Sequence, residues 1–228
     1  MSKNAPDVSV IGLTGLPEIC AGDDLAAMIA ESVTSLDLEF RPGDILVVTQ
    51  KVVSKAEGRV LSLRDVTPSP HARSWAVLLG KDPRLVELIL REARRIVRMD
   101  RGILIAETQH GFICANAGVD RSNLPDQETA ALLPRDPDGS AKAIRDRIVS
   151  LCEVEVAVVI SDTFGRPWRV GLSNVAIGVS GMLPIKEYGD VEDDFGRRLQ
   201  ATTIAVADEL AAAAELVMGK TGRVPAVL

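Results

Sequence analysis

Hydrophobic residues form two kinds of pattern along this sequence. Continuous apolar runs predict buried strands, and apolar residues at helical spacing predict helices. The run that begins at Val156 is uninterrupted and β-branched, which is typical of a strand buried on both faces. We expect this strand to stop abruptly at residues 161–163. Residues 45–50 predict a second buried strand, and a short apolar run at residues 8–13 predicts a third.

Four helices are predicted from a capping residue at one end and apolar residues at helical spacing. They cover residues 25–33 after the caps Asp23 and Asp24, residues 83–97 after Asp82 with proline at the first helical position, residues 140–151 with Ser140 as cap, and residues 196–218 closed by Gly219.

The remaining segments are short strands or loops. Residues 103–107 and 112–115 predict a pair of short strands, residues 122–140 are polar and predict a long loop, and residues 171–181 are small and apolar with tight backbone. No repeat or linker separates these pieces. The sequence therefore predicts the α+β class, a mixed α/β chain with intertwined subdomains, as a single domain over residues 1–228.

Composition narrows the range of partners. Of the 228 residues, 46% are hydrophobic and 25% are charged, as in ordinary soluble globular proteins. The net charge of −6 and the aromatic fraction of 3% argue against a nucleic-acid partner. No apolar run approaches the roughly 18 residues of a membrane span, and the first ten residues lack a signal-peptide pattern. We therefore expect a cytoplasmic protein without a membrane partner.

The cysteines and histidines exclude two kinds of site. Cys20, Cys114 and Cys152 lie far apart and form neither a disulfide framework nor a zinc pattern. His71 and His110 lie in different segments, so a histidine-based zinc site is close to excluded. Any bound metal should therefore be a hard cation with oxygen ligands.

Four polar clusters follow predicted strands or lie in loops, where side chains reach solvent. They are residues 15–19 (GLPEI), Gln50-Lys51 with Lys55 in the segment behind them, residues 116–123 (NAGVDRSN), and Asp162 with Thr163, Arg166 and Arg169. Fixed cations at a strand end suit phosphate oxygens.

Three of these clusters also have a simpler explanation. Lysines mostly solvate a surface, NAGVD is compatible with a plain turn, and Asp162 is compatible with a strand cap. The sequence contains no P-loop and no Rossmann fingerprint, and with two histidines no Ser-His-Asp or Cys-His arrangement is compelling. What remains is a pair of loop aspartates, Asp120 and Asp162, which can share Mg²⁺ or Mn²⁺ with phosphate oxygens. The residues alone thus indicate a metal-dependent phosphate-handling enzyme.

In this order the clusters resemble the coenzyme F420:L-glutamate ligase family, the gamma-glutamyl ligases of the deazaflavin coenzyme. The matching motifs are GLPEI, QKVVSKAEGR, NAGVDRSN, LLPRDPDGSA, ISDTFGRPWR, AIGVSG and VADELAAAAELVMGK, which together run from about residue 10 to residue 227. The combination is highly specific although its parts are not. The resemblance implies a homodimer with an α+β fold of the family's own.

The resemblance also implies a reaction. GTP, L-glutamate and the deazaflavin coenzyme precursor give a γ-glutamyl amide, GDP and phosphate. Transfer of the γ-phosphoryl group to a carboxylate makes an acyl phosphate that the glutamate amine attacks. Because phosphoryl transfer needs charge neutralisation and positioning rather than a protein nucleophile, the sequence shows carboxylates, lysines and glycine loops but no triad.

Residue roles follow from the same resemblance. Asp120, Asp162 and Lys55 resemble catalytic positions. Asp120 and Asp162 resemble ligands of a first divalent ion and Thr163 resembles a contact to a second, each Mg²⁺ or Mn²⁺, with K⁺ as a further candidate cation. The nucleotide positions are Leu16, Pro17, Glu18, Ile19, Gln50, Lys51, Lys55 and Asn123, with the Met218-Gly219 loop nearby. From charge alone, Arg166 and Arg169 are candidates for binding the phosphodiester or the glutamate carboxylates.

Two alternatives stay open. The first is a sibling GTP-dependent amide ligase that acts on another carboxylate substrate. The second is a catalytically silent nucleotide-binding module. Asp120, Asp162, Lys55 and Thr163 argue against a silent module, because a pure binder does not need metal carboxylates.

Overall fold

The apolar runs pair into one five-stranded sheet and three smaller sheets in the computed structural model of the protein, which describes residues 7–124, 126–189, 191–199 and 201–228. The strands are β1 Gly12–Leu13, β2 Ile45–Thr49, β3 Val60–Ser62, β4 Ala93–Asp100, β5 Ile103–Thr108, β6 Ile113–Ala115, β7 Thr129–Ala131, β8 Ala157–Gly165, β9 Leu172–Ser180, β10 Lys186–Glu187, β11 Thr203–Ile204 and β12 Ala226–Val227. The helices are α1 Leu25–Ser35, α2 Gln50–Ala56, α3 Pro70–Leu79, α4 Pro83–Glu92, α5 Pro137–Cys152 and α6 Val206–Met218. This confirms the predicted α+β class. Residues 1–6, which belong to the segment without a signal-peptide pattern, lie outside the described residues.

The five-stranded sheet has the order β1-β12-β2-β8-β9. Its central pair, β2 and β8, is parallel, and the register runs from Ile45 opposite Ala157 to Thr49 opposite Ser161. The other neighbours in this sheet are antiparallel. The carboxyl ends of β2 and β8 therefore meet at the same edge of the sheet.

Helices cover both faces of this central pair, which explains why both strands read as continuous apolar runs. One face packs against α1 and α5, and the other packs against α6. The side chains that alternate between the faces are Leu46, Val48, Val158 and Ile160 on the first and Val47 and Val159 on the second. The predicted burial of these strands on both faces is confirmed.

A second cluster of buried residues lies away from the five-stranded sheet. It joins α3 and α4 to strand β5 and to residues that include Ala117, Val119 and Leu132. The segment that carries residues 116–120 is thus held by a core of its own, next to the sheet that carries β8.

The predicted caps of α1 and α4 are confirmed. The Asp24 side chain accepts a hydrogen bond from the Ala27 N–H, and the Asp82 side chain accepts one from the Arg84 N–H. The predicted extent of α4 is wrong, because the helix ends at Glu92 and residues 93–100 form β4. Pairing of β4 with β5 in an antiparallel hairpin overrides the helical spacing of its apolar residues.

The predicted start of α5 is also wrong. Asp136 caps this helix by accepting a hydrogen bond from the Gly139 N–H, and Pro137 occupies the first turn. Ser140 lies inside the helix, where its hydroxyl contacts Glu57 and the Asp136 carbonyl oxygen. The predicted loop over residues 122–140 therefore contains β7 and the first turn of α5.

Strand β8 does not stop at residues 161–163. It continues to Gly165, because β9 pairs with it in antiparallel fashion up to the pair Gly165 and Leu172. A register irregularity between Ile160 and Ser161 separates the apolar half of β8 from this polar extension. The small apolar segment at residues 171–181 is thus a strand rather than only a tight backbone.

Three other boundaries differ from the predictions. Only Gly12–Leu13 of residues 8–13 is a strand, because its sheet partner β12 is two residues long. Gln50 begins α2 instead of ending β2. Helix α6 begins at Val206, after β11 has paired with β10, and the predicted C-cap Gly219 is confirmed. None of the helices among the described residues has the length and apolar character that crossing a membrane requires.

The packing of β9 on α5 yields a stability prediction. A Cβ atom at Gly178 would lie 2.3 Å from the Pro137 carbonyl oxygen, which is backbone and cannot turn aside. We expect Gly178→Ala to lower the free energy of unfolding by roughly 1–3 kcal/mol, as overpacking does. Gly189→Ala is the matched control, since nothing lies within 4 Å of that position. Equal denaturant midpoints for the two variants would contradict the close approach of β9 to α5.

Candidate active site

A cleft of ≈ 860 Å³ lies at the edge where β2 and β8 end. Its lining includes every residue that the sequence assigned to catalysis, nucleotide binding or metal binding: Leu16, Pro17, Glu18, Ile19, Gln50, Lys51, Lys55, Asp120, Asn123, Asp162, Thr163 and Gly219. Segments far apart in sequence thus converge on one space large enough for a nucleotide and a second substrate.

The parallel pairing of β2 and β8 positions two sides of this cleft. Gln50 and Lys51 open α2 directly after β2, and Asp162 and Thr163 stand in the polar extension of β8. Gln50 is 4% exposed and accepts a hydrogen bond from the Ser54 hydroxyl. The polar residues of both segments therefore begin where the buried, paired part of β2 and β8 ends.

Asp120 enters the cleft from the second core. The turn before it contains Asn116 and Ala117 in left-handed conformations, with φ of 54° and 52°, and a bridge to Ala131 fixes the Asp120 backbone. Burial acts to raise the pKa of Asp120, but hydrogen bonds from Lys51 and Ser122 outweigh it and hold the pKa below its ordinary value. Asp120 is therefore a carboxylate at neutral pH.

Lys51 ties Asp120 to α2. Its Nζ lies 2.5 Å from Asp120 Oδ2 and 2.7 Å from the hydroxyl oxygen of Ser122. The Lys51 side chain is 17% exposed, so this ion pair is partly shielded from solvent. A cation and an anion thus face each other within the cleft.

Asp162 has the opposite electrostatic environment. Burial raises the pKa of its carboxyl to about 6, and the charge of Asp120 acts in the same direction. Within the described residues its side chain accepts one hydrogen bond, from the Thr163 N–H, and forms no ion pair. Because β8 continues past Asp162, the explanation of this residue as a strand cap is wrong. A partly buried carboxylate without an ion pair is a candidate position for a bound cation.

The donor set fits one hard divalent ion. Asp120 and Asp162 offer carboxylate oxygens, and the described part of the chain holds no group of three or more His, Cys, Asp or Glu side chains suited to a metal. Mg²⁺ is typically bound through one or two carboxylates, several waters and substrate phosphates rather than by an all-protein cage. The shared metal at Asp120 and Asp162, the second ion at Thr163 and the K⁺ ion stay predictions.

A second polar network lies between β8, β9 and the end of α6. The Thr163 hydroxyl lies 2.7 Å from Asn174 Oδ1 and 2.7 Å from Lys220 Nζ. Asn174 Nδ2 donates to Glu215 at 2.9 Å, and Lys220 Nζ lies 2.7 Å from the same carboxylate. Thr163 is therefore bonded within the protein on both sides.

Lys55 lies on α2 facing the GLPEI loop. Its Nζ forms an ion pair with Glu18, and its side chain is 13% exposed. Arg223 approaches the same carboxylate at 3.9 Å. Asn123, another predicted nucleotide position, also lines the cleft and adopts a left-handed conformation with φ of 52°.

Arg166 and Arg169 do not line the cleft. Arg166 donates hydrogen bonds to the Val170 and Gly171 carbonyl oxygens and so closes the turn between β8 and β9. Their position in the sequence next to Asp162 therefore does not bring these arginines to the cleft lining. The structure gives no support to the prediction, made from charge alone, that they bind the phosphodiester or the glutamate carboxylates.

The sequence analysis assigns no individual role to several polar residues of the cleft: Ser122, Ser161, Asn174, Glu215, Lys220 and Arg223. Lys220 could have been found, because it directly follows the predicted C-cap Gly219 in a loop already placed near the nucleotide. Asn174 carried no signal, since it lies within a run of small residues and its partner Glu215 is 41 positions away.

Comparisons with known proteins found relatives that match most of this chain. The family model described as F420-0:Gamma-glutamyl ligase matches residues 14–228. The Coenzyme F420:L-glutamate ligase of Methanothermobacter thermautotrophicus is 48% identical over 222 residues, 97% of this chain and 88% of the relative. The proteins of the same name from Methanopyrus kandleri and Methanocaldococcus jannaschii are 49% and 42% identical, covering 91% and 100% of this chain and 80% and 89% of their own lengths. The chain therefore belongs to the F420-0:gamma-glutamyl ligase family.

Proposed function

We propose that this protein is a GTP-dependent ligase that joins L-glutamate through an amide bond to the deazaflavin precursor of coenzyme F420. The observation that carries the proposal is the convergence of the family's motifs on one cleft, together with relatives that are named as Coenzyme F420:L-glutamate ligases. We assign the reaction to the cytoplasm and assign no nucleic acid or membrane as a partner.

The chemistry proceeds in two balanced steps. A carboxylate oxygen attacks the γ-phosphorus of GTP, and the bond to the β-phosphate oxygen breaks, which gives an acyl phosphate and GDP. The amine of L-glutamate then attacks the acyl carbon, loses a proton, and expels inorganic phosphate. Neither step needs a covalent intermediate on the protein, so positioning and charge stabilisation are the protein's main tasks.

Asp120 and Asp162 would hold a divalent ion, Mg²⁺ or Mn²⁺. When bound, such an ion neutralises phosphate charge during phosphoryl transfer. The partly buried pair of carboxylates supports this assignment, because Asp162 has no cationic partner among the described side chains while Asp120 is held ionised by Lys51. The protein's own contribution is to bring these two carboxylates into the lining of one cleft.

The cleft lysines would bind the nucleotide phosphates. Lys51 and Lys55 come from the first and second turns of α2, and each is paired with a carboxylate, Asp120 and Glu18 respectively. Phosphate oxygens can replace these partners without leaving a buried lysine uncompensated. The surrounding nucleotide contacts in this proposal are residues 16–19, Gln50, Asn123 and Gly219.

The proposal includes a homodimer. Large hydrophobic side chains are exposed at the turn between β8 and β9, where Trp168 is 102% and Val170 is 97% exposed, and Leu172 follows at 67%. Apolar side chains clustered on a surface in this way favour an interface between proteins. This hairpin is therefore the segment that supports self-association best.

Product analysis tests the assignment directly. The protein incubated with GTP, L-glutamate, Mn²⁺ and the glutamate-free deazaflavin precursor should give a product heavier by one glutamyl residue, with GDP and phosphate released in equal amounts. Omission of either the precursor or glutamate should abolish product formation. Ligation of a different carboxylate while the precursor is ignored would favour the sibling ligase, and nucleotide binding without any turnover would favour the silent module.

The ion pair of Lys55 predicts its role in nucleotide binding. Lys55→Ala should weaken GTP binding by roughly 1.5–3 kcal/mol, about a 10- to 150-fold rise in Kd, because a charged hydrogen bond to phosphate is lost. Calorimetric titration measures the change, and Lys142→Ala, an exposed lysine on α5 outside the cleft, is the control. A wild-type affinity in Lys55→Ala would remove this residue from the site.

Asp162→Asn should change stability and activity in opposite directions. The native pKa of about 6 lies above the ordinary 3.8, so the native state binds this proton more tightly and the free energy of unfolding falls as the pH rises from about 4 to about 6. Asparagine carries no charge, so it removes the free-energy cost of burying an ionised carboxylate. Its side-chain oxygen can still accept the hydrogen bond from the Thr163 N–H. In metal-free protein at pH 7 the variant should therefore be more stable by roughly 1–3 kcal/mol, with no gain below pH 4.

The same substitution should lower turnover by orders of magnitude, since the charge that holds the divalent ion is lost. Denaturation in the presence of chelator at pH 4 and pH 7, and turnover at limiting Mn²⁺, measure the two effects. Asp65→Asn, an exposed carboxylate outside the cleft, should change neither. Near-normal turnover of Asp162→Asn at limiting Mn²⁺ would falsify the shared-metal assignment.

A further inference from the structure

The Ser161 hydroxyl group is a buried polar group of the cleft for which the described residues supply no hydrogen-bond partner. Ser161 is 1% exposed, yet it lines the cleft directly before Asp162. A buried hydroxyl group without a partner carries a free-energy cost, so folded proteins rarely retain one. Because serine has three staggered rotamers about χ1, this hydroxyl can turn toward a ligand in the cleft. A substrate oxygen would supply the missing hydrogen bond.

Strand register places a second hydroxyl group beside the first. Thr49 lies opposite Ser161 in the parallel pair of β2 and β8, and two residues earlier Val47 and Val159 lie opposite each other and pack on the α6 face. Because side chains alternate along a strand, Thr49 and Ser161 point to that same face. Neighbouring strands lie about 4.8 Å apart, so both hydroxyl groups are within reach of one ligand group. Thr49 also lines the cleft and, as the N-cap residue of α2, makes no side-chain capping hydrogen bond. These two residues are the hydroxyl pair of the cleft.

Two cations of the cleft lie close to the hydroxyl pair along the chain. Lys51 follows Thr49 by two residues and lines the cleft. Lys220 Nζ lies 2.7 Å from the hydroxyl oxygen of Thr163, which stands two residues beyond Ser161. Hydrogen bonds to charged oxygens are stronger than those to neutral oxygens, and a phosphoryl group offers several charged oxygens. The hydroxyl pair therefore suits an anionic group with more than one acceptor oxygen.

We propose that Thr49 and Ser161 donate hydrogen bonds to the γ-phosphoryl group of GTP and keep them while that group passes to the acceptor carboxylate. The inference rests on the proposed function and adds two binding residues to it. Asp162, the proposed metal ligand, directly follows Ser161, so the hydroxyl pair lies beside the place where the phosphoryl group would meet the ion. The pair contributes orientation rather than charge, because its donors are neutral and fixed in position by the register of β2 and β8.

A comparison of two nucleotides tests the inference. A GTP analogue with a non-hydrolysable β–γ bridge contains the γ-phosphoryl group, and GDP lacks it. Each nucleotide is titrated calorimetrically at saturating Mn²⁺ into the wild-type protein, Ser161→Ala and Thr49→Val. Each substitution should raise the Kd of the analogue roughly tenfold or more, because a hydrogen bond to a charged group is lost. The Kd of GDP should change less than about twofold, since GDP offers no γ-phosphoryl oxygen.

Ser32→Ala is the matched control. Ser32 is also buried, but its hydroxyl donates to the Thr14 carbonyl oxygen at 2.8 Å and lies outside the cleft lining. Without ligand, Ser32→Ala should lower the melting temperature by roughly 2–4 °C, because a satisfied hydrogen bond is lost, and it should bind both nucleotides as the wild type does. Ser161→Ala should melt at or above the wild-type temperature, because it removes a group without a partner. A clearly lower melting temperature of Ser161→Ala would mean that the hydroxyl stabilises the protein itself, and it would overturn the inference.

The outcomes separate this inference from the proposed function. Equal losses of affinity for the analogue and for GDP would place the hydroxyl pair elsewhere on the nucleotide. Unchanged analogue affinity in either variant would overturn the shared contact, and a raised KM for L-glutamate in that case would assign the hydroxyl group to the glutamate carboxylate instead. Each of these results overturns the inference and leaves the proposed function intact. A wild-type protein that binds neither nucleotide would overturn both.

Discussion

The parallel pairing of β2 with β8 is the constraint on which the rest of this structure depends. Both strands are buried on both faces, so their register cannot slip by one residue without moving apolar side chains out of two cores. That register fixes where each strand leaves the core, and both leave at the same edge. Gln50 and Asp162, which are more than one hundred positions apart in sequence, become neighbours in one cleft for this reason.

The cleft is organised as a set of internal ion pairs. Lys51 faces Asp120, Lys55 faces Glu18, and Lys220 faces Glu215. In the proposed reaction, binding of an anionic nucleotide and a cation would be an exchange of partners rather than the neutralisation of bare charges, which would limit the desolvation cost of entry. Asp162 is the exception: burial raises its pKa, and among the described residues its side chain forms no ion pair.

Much of this arrangement could be predicted from the sequence because it depends on local signals. The apolar runs predict the buried strands, and the residues Asp24 and Asp82 predict two helix N-caps. The order of the motifs predicts which residues share a cleft. The errors arose where tertiary pairing overrides local pattern. Asp136-Pro137 carries the same cap signature as Asp82-Pro83, although the sequence analysis assigns the cap of α5 to Ser140. Residues 93–97 have apolar residues at helical spacing, but they pair with β5 in a hairpin.

The polar network behind Thr163 could not have been predicted, and the reason is physical. Asn174 acquires its role only because β9 folds back along β8 beyond the expected end of that strand, and Glu215 acquires its role only because α6 packs on the same two strands. Neither residue stands in a local pattern that differs from an ordinary strand or helix surface. A bulge at Ile160 and Ser161 makes the polar extension possible, since it separates a register set by the core from one set by the hairpin. The polar network at Thr163 thus depends on how far β8 continues, which no single segment of the sequence encodes.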